Sequence, residues 1–176
     1  MRWHKLGLIY KPTAEMPWAF SHAFLPTPLL IDNETIRIFI SFWDKEQIGR
    51  IGYVDVWADN PIKIKKISEK PVLNIGEAGK FDDNGVTPTS VWREGSNILL
   101  FYAGWQLGTA VRHYIFTGVA VSANKGESFE RLSTEAVLGA TSEEPFARSG
   151  AHIMKEGNLW KLWYNAGCDW VDIKGK

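Results

Sequence analysis

The sequence predicts an all-β chain built from repeated four-stranded sheets, and three observations carry the prediction. One strand-turn-strand stretch, FDDNGVTPTSVWREGSNILLFYAGW (81–105), has a second copy upstream and part of a third downstream. The copies are spaced by a constant 62 residues. Finally, no window keeps apolar residues at i, i+3, i+4 and i+7, the period of a core-facing helix.

The elements follow in order. FLPTPLLIDNETIRIFISFW, from Phe24, lies over VTPTSVWREGSNILLFYAGW, from Val86, without a gap. Pro26 meets Pro88, Thr27 meets Thr89, Ile36 meets Ile98, Phe39 meets Phe101 and Trp43 meets Trp105. The same step brings RSGAHIMKEGNLWKLWYNAG, from Arg148, into line, so that Glu94-Gly95 meets Glu156-Gly157 and Phe101-Tyr102 meets Trp163-Tyr164. A fixed period of this kind signals a repeat architecture. Each copy reads as a hairpin, with Glu94-Gly95-Ser96-Asn97 or Glu156-Gly157-Asn158 at the turn.

Two further strand-like runs follow each complete hairpin. In the first unit they are Arg50 to Trp57 and Ile62 to Ser68, and in the second Phe116 to Ser122 and Ser128 to Ser133. Each unit closes on a short apolar signal, Pro71-Val72-Leu73 or Ala136-Val137-Leu138. Four strands per unit, with the unit repeated, describe the blade of a β-propeller. A β-sandwich with accidental similarity is the competing arrangement. The expected fold is therefore a partial propeller of about two and a half blades: 20–73, 82–138 and the start of a third over 144–176. Such a chain cannot close a ring, so it is expected to be a truncated piece of a longer protein. Its unclosed sheet edges invite self-association.

Composition narrows the partners. Lysine plus arginine equals aspartate plus glutamate, 20 each, so no net field attracts nucleic acid or an anionic membrane. The basic run Lys63-Ile64-Lys65-Lys66 alternates with an apolar residue and reads as the solvated face of a strand. Cys168 is the only cysteine, which excludes an internal disulfide and a thiolate metal cage. His4, His22, His113 and His152 are dispersed, so no metal is expected. Nucleotide-cradling glycine motifs are absent, no cofactor is expected, and the absence of a signal-peptide pattern or apolar span points to the cytoplasm. Nine tryptophans are many for this length, and their faces suit both strand packing and stacking on sugar rings.

SHAFLPTPLL, RIGYVDV, KPVLNIGEAGKFDDNGVTPTS, LLFYAGW and KLWYNAG together resemble the five-bladed propeller proteins of the arabinanase, levansucrase and invertase superfamily, in particular glycosidase-like members that sit with surface-polysaccharide genes. The resemblance covers the whole chain but only the N-terminal portion of such a protein. It implies a carbohydrate or glycoconjugate partner. In hydrolases of that superfamily, acidic side chains project into a central funnel from the inner strand of successive blades, one protonating the leaving oxygen and another activating water or attacking. At the matching places this chain has Leu25, Thr89 and Ser149. None of these can shuttle a proton in that role, so the resemblance speaks for the fold and against the usual mechanism.

Other polar groups recur just before the inner strands. Asp82 and Glu144 share one position at the 62-residue spacing, Asp83 follows Asp82, and Ser21-His22 hold the corresponding place in the first unit. A displaced catalytic set of Asp82, Asp83 and Glu144 is one reading, with His22, Trp105, Arg148 and His152 contacting substrate. Glu144 would then be the acid and Asp82 or Asp83 the base. The bland reading stands beside it: Asp82-Asp83-Asn84-Gly85 is a good turn sequence, Glu143-Glu144-Pro145 an exposed loop, and Trp43 and Trp105 packing residues. The functional expectations are thus a glycosidase-like enzyme, a non-catalytic carbohydrate-binding or polysaccharide-assembly module, or an inactive remnant.

Overall fold

The structure, a computed structural model, describes residues 2–109 and 111–169. The last residues assigned to the third repeat, 170–176, lie outside them. One 3-10 turn, Pro17–Ala19, precedes an otherwise all-β arrangement. The first sheet is an antiparallel meander of β1 (Ser21–Asp32), β2 (Thr35–Trp43), β3 (Gly49–Trp57) and β4 (Ile64–Ile67). The second begins with the same meander: β5 (Val86–Glu94), β6 (Asn97–Leu107), β7 (His113–Ser122) and the short β8 (Glu130–Arg131). A hairpin of β9 (Ala147–Glu156) and β10 (Leu159–Gly167) joins β7 in parallel through Ile115–Ala147 and Phe116–Arg148. Neither sheet closes on itself, and the chain is a partial β-propeller.

The strands form where alternation and turn chemistry require them. Gly95 and Gly157 take positive φ at the two hairpin turns, a backbone state that costs glycine little. The apolar runs that end each four-stranded unit bridge back to the third strand, Leu73 to Ile51 and Leu138 to Thr117. Lys65 and Lys66 of the basic run lie on the edge strand β4, with Lys66 half exposed beside Glu127.

Strand pairing tests the repeat at single-residue resolution. Opposite Phe39, Phe101 and Trp163, spaced by 62, lie Thr27, Ser90 and His152. The second and third hairpins therefore keep the spacing in both strands, whereas Thr27 and Ser90 differ by 63. The slip has a local cause. An extra irregularity between Leu30 and Asp32 shifts residues 24–30 of β1 by one position while leaving the turn and β2 in register. In all three hairpins the inner strand also carries one surplus residue just before this pair, over 25–26, at Thr89 and over 150–151. Such bulges bend a strand and re-aim its side chains.

The main core lies between the sheets. Phe39, Ile51 and Tyr53 of the first meet Val86, Ile98, Leu100, Tyr102, Phe116 and Ala120 of the second, all buried. The opposite face of the first sheet is covered by residues from Ile9 to Ala19, which lay Tyr10, Met16 and Trp18 over Ile40, Phe42, Val54 and Val56. The far face of the second meander packs Phe101 and Val119 on Ala151 and Ile153 of β9.

Two ion networks, each built on a buried aspartate, lie beside this core. Arg37 holds Asp55 with two hydrogen bonds of 2.8 Å and reaches Glu127 in the turn before β8 at 2.6 Å, while Tyr53 donates to the other Glu127 oxygen at 2.7 Å. Arg131 contacts Asp82 at 2.7–2.8 Å, and Tyr102 donates to the same oxygen at 3.0 Å. Each pairs a tyrosine, a carboxylate and an arginine drawn from separate stretches of chain.

Candidate functional site

The bulged ends of the inner strands and the loops beside them enclose a cleft of about 460 Å³ between the two sheets. This is within the size range of small-molecule sites. Trp43 ends β2, and Trp105 lies near the end of β6 at the equivalent position, so the repeat itself places one indole on each side. Phe24 and Thr87, the residues opposite Ser41 and Ala103 in their hairpins, line the cleft between them. The β2–β3 loop adds Glu46 and Gln47, the turn before β5 adds Asn84 and Gly85, the β6–β7 connection adds Arg112, and β7 adds its first residue, His113.

The aromatic walls are braced. His22 lies against Trp43 with ring centres 4.2 Å apart and planes tilted by 31°, and Phe24 meets the same indole edge-on at 6.0 Å. Trp105 donates from Nε1 to Thr87 Oγ1 at 3.0 Å and packs edge-on against His113. Beside this wall Gly49 leaves room for Ser41 and the Val86 carbonyl, since a Cβ there would lie 2.7 Å from Ser41 Oγ and 3.3 Å from that oxygen. His22 and Leu25 both sit at φ 53°. For leucine this is a real backbone outlier, and the bulge holds it at the cleft's edge.

The polar lining is largely uncommitted. Among the described residues, the side chains of Glu46, Gln47, Asn84 and Arg112 have no hydrogen-bond or ion-pair partner within the chain. Burial, and next the charge of Arg112, hold the His113 imidazole below its ordinary value, so it is neutral at pH 7. Flat aromatic walls with free amide, carboxylate and guanidinium groups between them can bind a polar ring through its faces and its hydroxyls.

The seven residues singled out from the sequence lie in different places. Trp105 alone lines the cleft. His22 stands behind Trp43 and contacts Ser21 Oγ at 3.1 Å. Asp82 is 1% exposed and belongs to the Arg131–Tyr102 network in the core. Asp83 accepts from the Gly79 amide at 2.8 Å across a turn. Glu144 lies 2.7 Å from Arg148 Nε, at an angle unsuited to a hydrogen bond, and accepts from the Tyr164 hydroxyl at 3.1 Å. His152 is exposed on β9, paired with Trp163. Sequence reasoning passed over Glu46, Gln47, Arg112 and His113. The available signal was positional: both loops follow the repeated tryptophans and emerge at the same end of the sheets.

Among the described residues no three histidine, cysteine or carboxylate side chains converge as metal ligands, and no helix is long and apolar enough to cross a membrane. No protein-family model matches the chain. It is 38% identical over 170 residues to uncharacterized proteins from two strains of Mycobacterium tuberculosis, an alignment covering 97% of this chain and 56% of the relatives. The chain thus spans about half the length of the curated relatives it matches. Among solved structures it is similar to an exo-1,5-α-L-arabinanase from a bovine ruminal metagenomic library. The TM-score is 0.67 at 16% identity, over 94% of this chain and 54% of that one. A family 117 glycoside hydrolase from Zobellia galactanivorans aligns with a TM-score of 0.59 at 15% identity, over 91% and 48%. A thermostable family-43 glycoside hydrolase aligns at 0.56 and 14%, over 86% and 48%. The fold is glycoside-hydrolase-like.

Proposed function

We propose that this chain is the carbohydrate-binding part of a five-bladed, glycosidase-like propeller, with its repeats at 20–73, 82–138 and from 144 as successive blades, and that the cleft takes a sugar without hydrolysing it. The observation that carries the reading is the pair of equivalent tryptophans, Trp43 and Trp105, facing one cavity from neighbouring sheets. Each is held by its own braces, so a sugar ring meets surfaces that need little reordering.

The binding reading is favoured over hydrolysis by the acids. A glycosidase needs two carboxyl groups flanking the scissile bond, roughly 5–10 Å apart. Among the described residues Glu46 is the one acidic side chain in the cleft lining, while Asp82, Asp83 and Glu144 are engaged elsewhere. At or directly beside the bulges stand Leu25, Thr89 and Ser149.

Titration of the chain with a panel of oligosaccharides, followed by calorimetry and tryptophan fluorescence, tests the proposal. At least one sugar is expected to bind, Trp105→Ala is expected to weaken it at least tenfold, and aryl glycosides are expected to stay intact. Unchanged affinity in Trp105→Ala places the sugar elsewhere, and turnover of any aryl glycoside returns the site to the hydrolases.

A further inference from the structure

We propose that the cleft selects a carboxylated sugar, a uronic-acid type of ring, with Arg112 as the receptor of its carboxylate. The inference rests on the carbohydrate reading above and adds the charge of the ligand to it.

The arginines within the fold show why Arg112 stands apart. Arg37, Arg50, Arg131 and Arg148 each contact a carboxylate of this chain, and Arg93 donates to the carbonyls of Leu30 and Ile31. Arg112 is exposed at the cleft and has no partner among the described residues. It sits on the connection between β6 and β7, two antiparallel strands paired up to Leu107–His113. The base of that loop is closed by the Gly108 amide donating to the Arg112 carbonyl at 3.2 Å. Arg112 therefore sits at the hydrogen-bonded base of that loop and shares the cleft lining with Trp105. An arginine fork matches a carboxylate with two parallel hydrogen bonds, a geometry that a hydroxyl cannot reproduce.

The rest of the lining permits an anion. His113 is neutral; Asp83, the nearest acid in sequence to the cleft residues Asn84 and Gly85, is outside the lining and accepts from the Gly79 amide, and Asp82 has its charge met by Arg131 in the core. The inner-strand positions at the cleft, Phe24 and Thr87, bring no charge. Among the described residues Glu46 is the sole acid in the lining, and it makes no ion pair with Arg112. The two give the cleft one cationic and one anionic contact: Arg112 for a carboxylate, and Glu46 for hydroxyls that donate to it. The net charge of the chain is zero, so the preference is a local contact and fades with added salt.

The test measures binding of uronic-acid trisaccharides, their methyl esters, and neutral trisaccharides of the same linkage by calorimetry on the full 176-residue chain. The free acids are expected to bind at least fivefold more tightly than the esters at low salt. Arg112→Gln is expected to remove that difference, bringing the free acid to the affinity of its ester, and Arg112→Lys to keep part of it. Equal binding of acid and ester, or a preference that survives Arg112→Gln, overturns the inference while the carbohydrate reading stands. If none of the three sugar classes binds, that reading falls as well.

Discussion

Replacing Asp82 by alanine separates a carboxylate that holds the fold from one that does chemistry. The side chain is 1% exposed, and its Oδ2 accepts from Arg131 at 2.8 Å and from the Tyr102 hydroxyl at 3.0 Å. Burial and the Asp82 charge push the Tyr102 phenol well above its ordinary value, so it remains a donor throughout the accessible pH range. At the 2.7 Å closest approach of the ion pair, an effective dielectric of about 20 gives an attraction of roughly 6 kcal/mol before desolvation is subtracted. Removing one partner of a buried pair costs about 3–5 kcal/mol. Arg131 keeps 21% of its side-chain exposure and can recover water, which places Asp82→Ala near the lower end, at about 3 kcal/mol.

Urea unfolding reads this directly. With a slope of about 2 kcal/mol/M the midpoint should fall by roughly 1.5 M. Asp82→Ala combined with Arg131→Met should recover part of the loss, because the double variant leaves no orphaned charge. A midpoint that stays put, or one that rises as it does when an active-site carboxylate held for function is removed, would refute the structural assignment.

Glu127 makes stability depend on acid. Burial raises its pKa, but hydrogen bonds from Tyr53, Arg37 and Lys66 outweigh this and bring it from 4.5 to about 2. A depressed carboxylate stabilises the fold above its unfolded pKa, and the contribution drains away as pH falls from about 4.5 to about 2. Glu127→Gln should therefore lower the melting temperature at pH 7 and flatten its decline over that window, by a modest amount because the side chain is 45% exposed. Parallel curves for the two proteins would count against the network. Gly52→Ala should cost about 2 kcal/mol by overpacking, since a Cβ there would lie 2.5 Å from the Trp18 ring and 2.6 Å from Ser68 Oγ; thermal unfolding measures it, and an unchanged midpoint would mean that Trp18 moves aside freely. Thr87→Val keeps the volume but removes the acceptor for Trp105 Nε1. It should weaken sugar binding about threefold with little change in fold stability, and equal affinity would show that the indole needs no anchor.

Much of the fold is legible in the residues because hairpin geometry is local. Glu94-Gly95-Ser96-Asn97 turns where its glycine permits positive φ, and alternation from Ile98 onward places Leu100 and Tyr102 on the inner face. The one-residue slip in β1 left no trace in the alignment, since a bulge near Ile31 preserves both the turn and β2 while moving only the pairing. The site was less visible for a different reason. Asp82 looks the same in sequence whether it caps a turn, does chemistry or sits in a core. What decides is Arg131, 49 residues away, a contact made only when the second meander folds back. Glu46 and Arg112 likewise come to one cleft through the packing of separate sheets.

Repeat folds usually come apart one unit at a time, since each unit touches only its neighbours. The clasp from Arg37 to Glu127, and to the Lys125 carbonyl at 2.9 Å, crosses from the second strand of one meander to the outermost turn of the next. Slow amide exchange in the two sheets should accordingly fail as a single block, and cutting the clasp should split that block in two.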